Sequence, residues 1–134
     1  KTPSARLILI ATQHPNVSIV GTPDQATMNE IIRKARINLL ITFQATGLKL
    51  KLLNALYLGN TIVTNNKMLH GTGLDALCYI ADTPEEMKKL VQHLIKSKDS
   101  STKRNENLSL LLKSYDNNKN ATTLVELVKN RWVK

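Results

Sequence analysis

The sequence alternates short apolar runs with stretches whose apolar residues recur at helical spacing, and few folds accommodate that alternation. Ile37 to Phe43 is the strongest strand candidate, apolar except at Asn38 and Thr42, as suits a parallel strand covered on both faces. Val17 to Val20, Thr61 to Thr64 and Leu77 to Ile80 are further short strand candidates. Helical periods lie between them: Met28, Ile31, Ile32 and Ala35; then Leu50, Leu53 and Leu56 to Leu58, closed by Gly59 as C-cap; then Met87, Leu90, Val91, Leu94 and Ile95. Ala5 to Ala11 is too short a run for periodicity to separate strand from helix.

Two segments carry the chemistry of helix starts. In Thr22-Pro23-Asp24-Gln25 and Thr83-Pro84-Glu85-Glu86 a threonine can cap, proline suits the first helical position, and Gln25 or Glu86 can complete a capping box. Four strands separated by helices predict an α/β fold: a Rossmann-like open parallel sheet with helices on both faces and right-handed connections. After Ile95 the composition changes. Lys96 to Asn107 reads as a loop, Leu108, Leu111, Leu112 and Tyr115 mark a helix, and Asp116 to Asn120 reads as a break. A last helix carries Leu124, Leu127, Val128 and Trp132, and these C-terminal elements are expected to pack on the sheet or on a partner domain.

Ligands of such sheets bind beyond the carboxyl ends of the strands. That rule selects four loops: Gly21 to Asp24, Gln44 to Gly47, Asn65 to Gly73 and Ala81 to Pro84. The second is the most informative. It leads from a buried strand into a helix, so backbone N–H groups near Gly47 and the helix dipole make an anion site. Lys49 and Lys51 add positive charge, but they stand about 200° apart on a helix and cannot both face one phosphate. The bland reading of the segment is an ordinary turn with two solvated lysines. Neither a Walker A loop nor a G-x-G-x-x-G is present. Gly71-Thr72-Gly73 lies on the same side, either beside a sugar or as a plain turn. Asp75 and Asp82 are the nearest acids, and nothing pairs them as acid and base.

Composition narrows the partners. Nineteen Lys and Arg against ten Asp and Glu give a net charge of +9, which attracts nucleic acid, anionic membrane surfaces or phosphorylated small molecules. Aromatic residues make up only 4%, so base-stacking platforms are scarce, and no zinc-finger or RNP-type motif occurs; nucleic acid is not expected. Cys78 stands alone and is expected as a buried strand residue, and His14, His70 and His93 are too scattered for a metal motif. The chain opens on Lys1, has no signal peptide and no apolar run of about 18 residues. It reads as a single domain, 1–134, excised from a longer protein.

The order of residues from Asn16 to Leu94 resembles the C-terminal, nucleotide-sugar-binding domain of retaining GT-B glycosyltransferases. Leu53-Asn54-Ala55-Leu56-Tyr57-Leu58-Gly59-Asn60-Thr61-Ile62-Val63 is similar to the family's Leu-Glu-Ala helix, glycine and following strand. Tyr79-Ile80-Ala81-Asp82-Thr83-Pro84-Glu85-Glu86-Met87 resembles its closing strand and helix. Thr42 to Leu56 further resembles a bacterial subgroup found in the Bacteroides lineage. The resemblance implies sugar transfer from a nucleotide-diphosphate sugar, with no cofactor or metal, to a glycan or glycolipid acceptor held by an absent N-terminal domain. It also implies a cytoplasmic enzyme of polysaccharide or glycolipid synthesis, open to peripheral association with the inner face of the membrane.

Roles transfer position by position. Gly47 and Leu48 match the backbone donors to the diphosphate, and Lys51 matches a phosphate-contacting lysine of related enzymes, which favours it over Lys49. Thr22 and Pro23 match the loop passing near the nucleotide base. The family carries two glutamates with seven residues between them, the first meeting the donor sugar and the second the ribose; Thr46 and Asn54 stand there in this chain. Both can hydrogen-bond a hydroxyl, but neither supplies a carboxylate. Two other function classes remain beside this one. A nucleotide-responsive, receiver-like regulatory domain needs an acidic cluster at the strand ends. A basic nucleic-acid-binding module needs salt-dependent affinity for oligonucleotides.

Overall fold

The computed structural model describes residues 3–47, 49–97, 108–113 and 115–132. Its sheet has three parallel strands in the order β1 (Ile37–Leu40), β2 (Thr61–Thr64), β3 (Tyr79–Ile80). Ile37 pairs with Thr61 and Leu40 with Thr64, while Val63 and Thr64 face Tyr79 and Ile80. Around it lie helices α1 (Ala5–Thr12), α2 (Gln25–Lys34), α3 (Leu50–Leu58), α4 (Asn66–Leu69), α5 (Pro84–Lys96), α6 (residues 108–113) and α7 (Asn117–Trp132). A 3-10 turn spans Asp75–Leu77.

Neighbouring residues of β2 show how the layers form, since adjacent side chains of a strand point to opposite faces. Ile62 packs with Leu52, Ala55 and Leu56 of α3, joined by Met68, Leu69 and Leu111. Val63 packs with Met87 and Leu94 of α5. The central strand is thus covered by helices on both sides, and the expected parallel α/β arrangement is present.

Several elements differ from the sequence expectation. Val17 to Val20 forms no strand, although it is rich in β-branched residues: it joins neither edge of the β1-β2-β3 sheet, and strand propensity without a paired neighbour does not make a strand. Ala5 to Ala11 resolves as helix: the Ser4 hydroxyl accepts from the Leu7 N–H and caps α1. Strand β1 stops at Leu40 instead of Phe43. Beyond it the Asn65 side chain replaces the ladder, accepting from the Thr42 N–H at 3.2 Å and donating to the Thr42 carbonyl at 2.8 Å. Nor is the run covered on both faces, for Leu39, Ile41 and Phe43 are exposed, Phe43 by 88%.

Helix α2 is capped by Asp24, not Thr22. The Asp24 carboxylate accepts from the Thr27 N–H at 2.7 Å, which lowers its pKa, and Gln25 bonds Asn29 instead of closing a capping box. Thr22 has a positive φ of 43°, so it sits in the turn ahead of the cap. Of the expected apolar face only Ile32 reaches the core; Met28 and Ile31 remain exposed. The Asn65 to Gly73 stretch is no plain polar loop, because α4 inserts Met68 and Leu69 fully into the core. Strand β3 covers only Tyr79 and Ile80, Leu77 ends the preceding 3-10 turn, and Cys78 lies half-buried between them.

Other expectations agree in detail. Thr83 caps α5 and Glu86 returns the bond, a capping box at 3.2 and 3.1 Å with Pro84 at the first helical position. Gly59 ends α3, although its φ of −86° is not left-handed. A Cβ there would lie 2.5 Å from Asn38 Nδ2 and 2.7 Å from the Ala55 carbonyl, so close approach is what requires glycine. Residues 98–107 of the expected Lys96 to Asn107 loop lie outside the described residues. The expected break at Asp116 to Asn120 shrinks to Asp116, whose carboxylate accepts from the Asn118 and Lys119 N–H groups and starts α7 at Asn117. Helix α6 packs onto the core through Leu111, while Leu124 and Leu127 of α7 are more than 60% exposed.

Candidate functional site

The turn from β1 to α3 is built around its own lysines. Lys49 is buried, and its ammonium donates to the Gln44 carbonyl at 3.1 Å and the Thr46 carbonyl at 2.8 Å. Thr42 closes the base of the turn, its hydroxyl donating to the Gln44 carbonyl. Gly47 has a φ of 86°, in the left-handed region that favours glycine, with open space where a Cβ would stand. Leu48 lies outside the described residues. The two lysines divide, although not by the roughly 200° of a shared helix, since Lys49 is the non-helical residue ahead of α3. Lys49 turns inward and holds the turn, while Lys51 reaches the Ile41 carbonyl at 3.0 Å with an exposed ammonium that retains further donor capacity.

The N terminus of α3 faces the same region. Lys49 is its N-cap residue and makes no side-chain cap bond. The Lys49 carbonyl accepts from the Leu52 and Leu53 N–H groups, and the positive end of the helix dipole lies at the Leu50 and Lys51 N–H groups ahead of them.

Lys51 and Asn54, one turn apart on α3, line a groove of about 910 Å³ together with Leu50 and Tyr57. Gln25 and Met28 of α2 form one wall, and Tyr115, Asp116 and Asn118 form the other. The half-buried Asn54 amide donates to Asn29 Oδ1 at 3.4 Å, which leaves its carbonyl oxygen available. The structure thus brings Lys51 and Asn54 to one groove with the first turn of α2. Thr46, Gly47, Lys49, Thr22 and Pro23 do not line it; Thr46 and Gly47 are exposed at the turn, and Thr22 is exposed ahead of α2.

A second cleft, of about 820 Å³, opens at the carboxyl ends of the strands between β1 and α5. Its walls are mainly apolar, from Leu39, Ile41, Phe43, Met87 and Val91, with Asn66 and Asp82 at its floor. Asp82 accepts from both the backbone and the side chain of Asn66, which ties the β2 and β3 loops together. Sequence reasoning missed Tyr57 and Tyr115 as groove residues and Asn65 as the clasp on Thr42. The tyrosines carried no motif, and the only trace of the clasp was an Asn-Asn pair directly after a strand.

Burial, with the Asp75 charge second, pushes the Cys78 thiol up to about 12, which disfavours its thiolate near neutral pH. Among the described residues, no three His, Cys, Asp or Glu side chains converge to hold a metal ion. No helix among them is long and apolar enough to cross a membrane. No protein-family model matches the chain, and neither does any curated protein or solved structure.

Proposed function

We propose that this chain is the nucleotide-diphosphate-sugar-binding domain of a GT-B-type glycosyltransferase, gripping the donor diphosphate at the start of α3. The observation that carries the reading is the shared groove of Lys51 and Asn54 beside an uncapped helix N terminus. The parallel sheet and the left-handed Gly47 support it as well. In this arrangement the Leu50 and Lys51 N–H groups and the Lys51 ammonium meet the diphosphate. Asn54 hydrogen-bonds the ribose, and Thr46 at the exposed turn meets the sugar. Lys49 acts indirectly, holding the Gln44 and Thr46 carbonyls so that the turn keeps its shape.

Such a site assists sugar transfer by stabilising charge on the departing nucleotide. Fixed donors aimed at the diphosphate strengthen as negative charge develops on it, with no need for a carboxylate at Thr46 or Asn54. The acceptor, a glycan or glycolipid, belongs to a domain beyond these residues.

Calorimetric titration with UDP, GDP and ADP tests the reading. Binding of at least one is expected, with Lys51→Ala weakening it about tenfold, or about 1.4 kcal/mol. Absence of binding to all three at millimolar concentration, together with salt-dependent binding of a random oligonucleotide, overturns it in favour of a nucleic-acid module.

A further inference from the structure

We propose that the cleft between β1 and α5 binds a small anionic amphiphile, an apolar ring or short chain ending in one carboxylate or sulfonate group. Its volume of about 820 Å³ lies within the range of about 300–1,000 Å³ usual for small-molecule sites. Two walls bound it. On one side stand Leu39, Ile41 and Phe43, every second residue along β1 and its continuation, as side chains on one face of an extended chain must be. On the other, Pro84, Met87, Lys88 and Val91 of α5 keep the i, i+3, i+4, i+7 spacing of one helix face. The strand register shows why the space is open. Leu39 pairs with Val63, which is fully buried against α5, yet Leu39 itself is 48% exposed. At this level the cover of α5 ends between the two strands.

Charge selects the head group. Lys67 of α4 and Lys88 of α5 line the cleft, and neither ammonium makes an ion pair or hydrogen bond with another described residue. The acid in the lining, Asp82, has both carboxylate oxygens engaged by Asn66, one by its backbone and one by its side chain. Glu86 is turned back onto the Asp82 and Thr83 N–H groups. An inorganic anion would meet the two lysines and leave the apolar walls in water. A neutral apolar molecule would cover the walls and leave both ammonium groups without a partner. A molecule with both parts answers both features. This cleft shares no residue with the Lys51 groove, and the inference does not rest on the nucleotide-sugar reading.

Two dyes with nearly the same apolar body test it: anilinonaphthalene sulfonate, an anion, and phenylnaphthylamine, which lacks the sulfonate. Fluorescence titration of the whole chain should show saturable binding of the anionic dye, about tenfold tighter than the neutral one. Lys67→Gln with Lys88→Gln should bring the anionic dye down to the affinity of the neutral dye and leave the neutral dye unchanged. Ile41→Asp with Phe43→Asp should abolish binding of both dyes; these side chains are exposed beyond the end of β1, and the urea midpoint checks that the pair folds. Absence of saturable binding overturns the proposal. Equal affinity for the two dyes does so too, as does an anionic-dye affinity that survives loss of both lysines. Displacement of the dye by UDP or GDP also overturns it, since the dye would then occupy the groove of Lys51.

Discussion

Lys49 and Lys51 are two residues apart, share a charge and have different work. The buried Lys49 ammonium bonds two carbonyls of the turn, so Lys49→Met takes that partner from Thr46 and leaves Gln44 with the Thr42 hydroxyl alone. It is expected to lower stability by about 1–3 kcal/mol, read as a urea midpoint shift. Lys51→Ala should leave that midpoint within about 0.5 kcal/mol of the parent and reduce diphosphate affinity instead. Equal loss of stability in both would remove the distinction. Gly59 obeys a different constraint. A methyl group there collides with Asn38 and the Ala55 carbonyl, so Gly59→Ala is expected to cost about 1–3 kcal/mol in the same measurement. The sequence pointed to Gly59 as a helix stop, but the reason for glycine was legible only once Asn38 was seen against it.

Helix starts show how far local chemistry reads out. The Thr83 box is set by four consecutive residues and was legible in full, whereas the matching Thr22 segment uses Asp24 as the cap. The difference is physical: the short Asp24 carboxylate can cap and accepts the Thr27 N–H, whereas the matching place of the second segment holds the longer Glu85 and leaves the cap to Thr83. Bonds from the Asp82 and Thr83 N–H groups hold the Glu86 carboxyl below its ordinary pKa. A carboxylate with a depressed folded pKa stabilises above its unfolded value, and that contribution is lost as pH falls through the folded one. Urea midpoints of the parent and Glu86→Gln should therefore differ near neutral pH and converge below the ordinary carboxylate range. A difference that persists at low pH would show that the charge is not what the cap uses. At the end of β1, Asn65→Ala removes both bonds to Thr42 and should weaken nucleotide binding as well as stability, because it frees the turn leading to α3.

Across the whole molecule, the coverage of the sheet is uneven. β2 is buried on both faces, while Leu39 of β1 and, beyond its end, Ile41 and Phe43 are exposed. Phe43→Ser is expected to leave the urea midpoint within about 0.5 kcal/mol, since that side chain is 88% exposed, and to reduce binding of an apolar dye in the cleft between β1 and α5. A clear loss of stability would mean that Phe43 is packed in solution. By itself the sequence determined the parallel α/β arrangement, the helix periods of α3 and α5 and the Thr83 cap. Each rests on spacing or on bonds among residues close along the chain. Only the tertiary structure decided that Val17 to Val20 stays out of the sheet, that Lys49 turns inward while Lys51 faces a groove, and that Asn54 and Tyr115 share that groove. Those outcomes depend on which distant segments supply a pairing edge, a carbonyl or a wall, and spacing along one chain carries no record of such neighbours.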